Sequence, residues 1–203
     1  MSTNRGRVCR VSEPNIRLAA KVVRHGGVIV YPTDTVYGIG CDPRNGPALT
    51  RLCRIKGREN KPLPVLCDSL ESASRLIEFN GTSKALAKKH WPGALTIIAR
   101  LKMKLPRAIN QGTGTLGVRV PASTSCVKLI SACGGYLVGT SANKSGKPSC
   151  RTAQEALEAL GEEVDLILDG GMLNARESTV VRVTDEEIEV LRMGEVRVLD
   201  KSI

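Results

Sequence analysis

Two apolar runs near the end of the chain, Thr179 to Val183 and Ile188 to Leu191, are separated only by residues 184–187. A parallel pair of strands needs a crossover of about a dozen residues or more, so these later strands lie too close for helical crossovers and a mixed rather than purely parallel sheet is expected. Further strand-like runs occupy Val28 to Tyr31, Val65 to Cys67, Leu95 to Ala99, Leu116 to Val120, Tyr136 to Thr140 and Val164 to Leu168. Between them lie helical patterns. Ile16, Ala19, Ala20 and Val23 recur at helical spacing until Gly26-Gly27, and Leu49, Leu52, Cys53 and Ile55 mark a helix ending near Lys56. Others are predicted at Ser69 to Phe79, Ser83 to Trp91, Ser123 to Ala132 and Thr152 to Leu160. The alternation predicts an α/β single domain with a twisted mixed sheet flanked by helices. With no repeat or low-complexity linker, one domain over residues 1–203 is expected, its first few residues frayed.

The 30 Lys and Arg against 20 Asp and Glu leave a formal charge of +10, which favours an anionic partner such as a nucleotide, nucleic acid or acidic membrane surface. Aromatic residues make up only 2% of the chain, so the stacking platforms of single-strand RNA binders are mostly missing. No run of eighteen apolar residues occurs and no apolar stretch follows the basic N-terminus, which predicts a cytoplasmic protein without membrane association. Cys9, Cys41, Cys53, Cys67, Cys126, Cys133 and Cys150 form no C-x-x-C pair, and only two histidines accompany them. They are expected to be reduced, buried thiols rather than a disulfide framework or a metal site.

Four segments carry residues suited to a polar ligand, each with an ordinary alternative. Pro32-Thr33-Asp34-Thr35-Val36-Tyr37-Gly38-Ile39-Gly40 leaves a hydrophobic strand, where α/β proteins place ligand loops, but its hydroxyls also suit a self-bonded turn. Lys56, Arg58 and Lys61 can neutralise a polyphosphate, or complement the dipole at a helix end. Arg119 sits in an apolar strand after the glycine-rich loop ending at Thr115, and a charge there requires solvent or an anion, a role a ligand carboxylate would fill. Gly139 to Gly146, with Ser141 and Asn143, leaves another strand and is followed by Ser149. His25 and His90 could serve as general bases but lie beside helix ends outside these segments, which favours a structural role, and Asp34 and Asp169 could serve a metal or a turn, with the turn favoured.

Appearing together in this order, the segments resemble the YrdC-like family of threonylcarbamoyl-AMP synthases. The hallmarks are Pro32 to Gly38, Lys56 with Arg58, and Ser141 with Asn143, and the likeness continues through Thr115 to Pro121, Ser178-Thr179-Val180 and Leu191-Arg192-Met193-Gly194. The motif-bearing core spans about residues 12–195. The resemblance implies a YrdC-like fold with a basic concave cleft, and a nucleotidyltransferase activity that joins L-threonine, bicarbonate or carbon dioxide, and ATP into threonylcarbamoyl-AMP plus pyrophosphate. A downstream tRNA threonylcarbamoyl transferase complex would then modify adenosine 37 of tRNA.

Carried across by motif, Lys56, Arg58, Thr115, Ser141, Asn143, Ser149 and Arg192 are the implied ATP-side residues, with Lys56 and Arg58 nearest the chemistry. Thr35, Arg119 and Ser178 are the implied threonine-side residues, and Mg²⁺ would accompany ATP with no protein metal ligand assigned. Two departures stand out. Lys56-Gly57-Arg58-Glu59-Asn60-Lys61-Pro62-Leu63 is one residue shorter than K-G-R-P-x-x-N-P-L, and Leu66 stands where some relatives have histidine. Both features resemble the YciO-like branch. The sequence stops at Ile203, so the single-domain form is expected, without the C-terminal domain and linker of longer relatives. A double-stranded RNA or tRNA binder without synthase activity is the alternative that the net charge leaves open.

Overall fold

The computed structural model describes residues 7–57, 61–185 and 187–198, and the backbone of 201–202. Its first half runs β1 (Arg7–Arg10), α1 (Glu13–Arg24), β2 (Ile29–Tyr31), β3 (Gly38–Gly40), α2 (Gly46–Lys56), β4 (Val65–Cys67), α3 (Leu70–Leu76), α4 (Gly81–His90) and β5 (Leu95–Arg100). Then follow α5 (Arg107–Asn110), β6 (Thr115–Arg119), α6 (Thr124–Ala132), β7 (Tyr136–Val138), β8 (Thr140–Ser141), α7 (Ala153–Leu160), β9 (Leu166–Asp169), β10 (Thr179–Val183), β11 (Glu187–Arg192) and β12 (Lys201–Ser202). The predicted α/β alternation is present, and β10 pairs antiparallel with β11 as their spacing requires.

The strands are divided between two mixed sheets rather than gathered into one. The first has the order β1-β9-β2-β3-β8 and the second β12-β11-β10-β5-β6-β4-β7. The division falls inside the segment read from sequence as one strand, Tyr136 to Thr140. Tyr136–Val138 pairs with β4, and after Gly139 the chain pairs with β3 in the other sheet. Gly139 is needed at the change of sheet because a Cβ there would lie 2.4 Å from Leu66 Cγ. Gly40 is equally constrained: its Cβ would meet the Val138 carbonyl oxygen at 1.9 Å. Tyr31 Oη donates to that same carbonyl at 2.6 Å, and Val138 N donates to Cys41 O at 3.0 Å, so the two sheets are tied along this line.

Alternation along β5, β6 and β10 gives the second sheet two unlike faces. Leu95, Ile97, Leu116, Val118, Val181 and Val183 are buried in the core. The opposite side of the same strands presents Thr96, Ile98, Gly117, Arg119, Val180 and Arg182 to a cleft between the sheets. Helix ends conform to elementary rules: Ser12, Asn45, Ser69, Asn80, Ser123 and Thr152 each accept a hydrogen bond from a first-turn amide. α2 stops at Gly57, which takes the left-handed conformation and ends the helix on Lys56.

Candidate active site

The cleft encloses about 390 Å³. The first sheet and its loops contribute Thr33, Thr35, Tyr37, Thr140 and Ser141, while Leu66, Thr96, Ile98, Gly117 and Arg119 line the side of the second sheet. Glu177, Ser178, Leu191 and Arg192 form a third wall where β10 begins and β11 ends.

The Pro32–Gly38 loop is a self-bonded turn at Thr33, and it turns Thr35 toward the cleft. Thr33 Oγ1 donates to Val36 O at 2.7 Å and accepts from Thr35 N at 3.0 Å, so it folds the turn. Thr35 Oγ1 then faces Arg119, accepting from Nη1 at 3.2 Å. Tyr37 fixes the far end of the loop, its hydroxyl donating to Gly171 O at 2.7 Å and accepting from Gly170 N at 3.0 Å.

Arg119 is only 5% exposed, and the anion it requires is supplied within the protein. Nη2 forms a 2.5 Å ion pair with Asp34 Oδ1, and Nε donates to Gly93 O at 2.9 Å. Asp34 therefore does more than shape a turn, as the sequence alone had suggested for it. Three bonds use three of the guanidinium's five N–H groups and leave two for a ligand. Asp169 does keep the turn role, Oδ1 accepting from Gly171 N at 2.9 Å.

Ser178 joins the two predicted residue sets. Its hydroxyl lies 3.0 Å from Thr96 Oγ1, and Arg192 Nη2 donates to it at 3.2 Å. Arg192 is further held on Ser178 O by Nη2 at 2.9 Å and Nε at 3.1 Å. The third Arg192 nitrogen, Nη1, pairs with Glu177 Oε2, whose partner oxygen Oε1 accepts from Ser149 Oγ. Thr96 and Glu177 carry no mark in the sequence reading, and Asp34 enters it chiefly as a turn residue. For Glu177 a signal was present, a lone carboxylate immediately before the Ser178-Thr179-Val180 motif.

Lys56 takes a position behind the cleft rather than on its wall. It is 2% exposed, and Nζ donates to Ser141 O at 2.5 Å, Asn143 O at 2.9 Å and Asn143 Oδ1 at 3.4 Å. The same loop returns to the end of α2 through Ser145 N to Lys56 O at 2.8 Å and Lys144 Nζ to Ile55 O at 2.7 Å. Lys144, then, neutralises the helix carboxyl end, the alternative considered for the Lys56 cluster. Asn143 is buried and donates to Lys147 O at 2.5 Å, shaping the loop from which Ser141 reaches the cleft. Thr115 begins β6 on the face of Gly117 and Arg119, at 3.2 Å from Thr113 Oγ1. Arg58 lies outside the described residues.

Burial holds the thiols next to this site in the protonated form. It pushes the Cys150 thiol up to about 11 and Cys41 up to about 12, and raises Cys126, beside Arg119 and Asp34, further still. His25 receives the end of α1, its Nδ1 lying 2.7 Å from Lys21 O, and His90 ends α4. Among the described residues no group of three or more His, Cys, Asp or Glu is placed to hold a metal ion, and no described helix is long and apolar enough to cross a membrane.

The Sua5_yciO_yrdC family, described as "Telomere recombination", matches residues 21–194. Over 188 residues the chain is 36% identical to the threonylcarbamoyl-AMP synthase of Pyrococcus abyssi, covering 91% of this chain but 55% of that protein, so it spans about half the length of this relative. Over 172 residues it is 37% identical to the threonylcarbamoyl-AMP synthase of Thiobacillus denitrificans, covering 82% of this chain and 89% of the relative. Among solved structures, P. abyssi Sua5 complexed with L-threonine superimposes with a TM-score of 0.87 over 93% of this chain and 56% of that one, at 36% identity. Escherichia coli YciO superimposes with a TM-score of 0.85 at 30% identity, over 93% of this chain and 94% of that one. Sequence and architecture thus agree that this chain belongs to the Sua5/YciO/YrdC family.

Proposed function

We propose that the chain synthesises L-threonylcarbamoyl-AMP from L-threonine, carbon dioxide derived from bicarbonate, and ATP, with release of pyrophosphate. The observation that carries this reading is the buried Arg119, held between Asp34 and Thr35 at the cleft floor with two N–H groups to spare and the Thr96–Ser178 hydroxyl pair on the same sheet face. A relative of the same architecture has been solved with L-threonine bound, which supports an amino acid as the occupant.

The chemistry calls on no protein nucleophile. The threonine amine adds to carbon dioxide and loses a proton, giving a carbamate. A carbamate oxygen then attacks the α-phosphorus of ATP, and the bond to the β-phosphate bridging oxygen breaks as pyrophosphate leaves. Arg119 would receive the substrate carboxylate, and the hydroxyls of Thr35, Thr96 and Ser178 would meet the polar end of its side chain. The phosphates would lie toward Ser141, Ser149 and Arg192, with Arg58 and Thr115 assigned there by family resemblance. Lys56 would act from beneath, fixing Ser141 and Asn143 and adding positive charge below the phosphates. Because Ser178 contacts Arg192, the two substrates would adjoin at that residue. Holding two reactants in register is worth about 7–11 kcal/mol, which makes positioning the main work of such a site.

ATP here is a substrate. Glu177, the described carboxylate lining the cleft, and Asp34 behind it are each engaged by an arginine and offer no cage for Mg²⁺. A Mg²⁺ accompanying ATP would be held by the phosphates and water.

Pyrophosphate release in bicarbonate buffer, with amino acids supplied singly, tests the reading. Threonine should exceed valine by at least about a hundredfold, since valine leaves buried hydroxyls unpaired, and serine by about tenfold for a lost methyl contact. Equal rates with threonine and valine would overturn the threonine assignment. No release with any amino acid would overturn the synthase reading and favour an RNA-binding role for the basic surface.

A further inference from the structure

We propose that Glu177 is an exchangeable stand-in for phosphate, occupying Arg192 and Ser149 in the free protein, yielding them to the nucleotide, and reclaiming them as pyrophosphate leaves. This rests on the synthase reading above.

Ser149 lies between β8 and α7, and Arg192 ends β11, yet their side chains meet on the two oxygens of one carboxylate. Donors from separate segments aimed at a single anion define an anion position, and here a protein side chain fills it. The pairing is weak enough to exchange. Glu177 and Arg192 side chains are 34% and 47% exposed, and ion pairs so open to solvent contribute little to stability.

The departure of Glu177 would not disturb its partners. Arg192 keeps its three bonds to Ser178 through Nε and Nη2, so only Nη1 is released. The backbone of Glu177 is also secured, its carbonyl accepting from Glu195 N at 2.9 Å beneath Gly194, where a Cβ would come within 2.1 Å of that oxygen. The carboxylate can thus swing on a fixed main chain, out to solvent when phosphate enters and back when it leaves. A triphosphate, carrying several charges, displaces it readily. A less charged ligand competes poorly, so Glu177 would also sharpen selection for polyphosphates.

Titration calorimetry of ATP and of pyrophosphate, on the intact protein and on Glu177→Gln, tests this. The variant keeps an acceptor for Ser149 but loses the charge, so both ligands should bind about three- to tenfold more tightly, and pyrophosphate should become a correspondingly stronger product inhibitor. Glu177→Asp should behave like the unaltered chain. Glu177→Ala repeats the test without a replacement amide, and a melting curve for each variant confirms that it is folded. Unchanged or weaker binding by both Gln and Ala variants, with binding by the unaltered chain intact, overturns the stand-in role and leaves Glu177 as a structural clasp. An unaltered chain that binds neither ATP nor pyrophosphate overturns the synthase reading and this proposal together.

Discussion

Two arginines face the same cleft in opposite circumstances. Arg119, at the floor, is buried, paired with an almost buried Asp34, and bonded to Thr35 and the Gly93 carbonyl. Arg192, at the rim, is half exposed and divides its bonds between the Ser178 backbone and the Glu177 carboxylate. The floor charge is fixed before any ligand arrives, because a buried ion pair cannot be opened without stranding its partner. The rim charge can change partners at little expense. On the proposed function, the buried end would hold the small substrate in place and the exposed end would receive a polyphosphate that must come and go.

The largest effect should follow from breaking the floor. Arg119→Ala strands Asp34 and should cost about 3–5 kcal/mol, lowering the melting temperature by roughly 10 °C and abolishing threonine-dependent pyrophosphate release. Adding Asp34→Ala should restore part of the stability but none of the activity. If Arg119→Ala melts like the unaltered protein, floor and rim are not different in kind. Arg192→Ala should do the reverse, changing stability by less than about 1 kcal/mol in a urea titration while weakening ATP binding by about tenfold. A stability loss as large as that of Arg119→Ala would erase the distinction.

A smaller, kinetic difference should appear in two thiols that report on the two ends. Cys126 is buried beside Asp34 and Arg119, whereas Cys150 adjoins Ser149 and feels Lys56. Burial raises both, Cys150 to about 11 and Cys126 further, so alkylation of native protein should speed up by about tenfold per pH unit above neutrality, with Cys150 modified first. In the unfolded chain both thiols return to ordinary values near 9, so their contribution to stability is complete below that pH and declines as pH rises through the folded values. Alkylation of Cys126 before Cys150 would mean that the floor opens more easily than the rim.

Much of this was legible from residue order alone. β4 and β10 fall within the bounds that their apolar runs predict, and α2 ends at Lys56 where its periodicity stops. Legibility failed where structure depends on distant partners. Gly38–Gly40 reads as a loop because glycine has poor strand propensity, yet it is a central strand of the first sheet, where Tyr31 and Val138 leave room for nothing larger. Arg7–Arg10, polar and basic with no strand-like run, is an edge strand parallel to β9, while the first few residues, expected to fray, lie outside the described residues. α5 spans only four residues, too few for a periodic signal. At the site, Thr35, Arg119, Ser141, Ser178 and Arg192, taken from separate motifs, line one cleft, whereas Lys56, Thr115, Asn143 and Ser149 are not among its lining residues. The Asp34–Arg119 pair joins positions far apart in the chain, and no spacing rule reveals such a partner. Leu66 illustrates the remaining kind of gap: its identity was plain, but its packing against Gly139 required the fold.

The change of sheet at Gly139 bears on which lengths of chain can be inherited. Tyr136–Val138 is registered against β4, and Thr140–Ser141 against β3, with one residue between the two registers. Because side chains alternate along a strand, inserting or deleting a residue here would turn one of the two strands inside out, sending Leu137 or Thr140 to the wrong face. Surface loops elsewhere can lengthen or shorten with little penalty. Descendants of this chain should therefore differ in loop length while the interval from Tyr136 to Ser141 keeps its residue count, and variants selected from a library of random insertions should leave that interval intact.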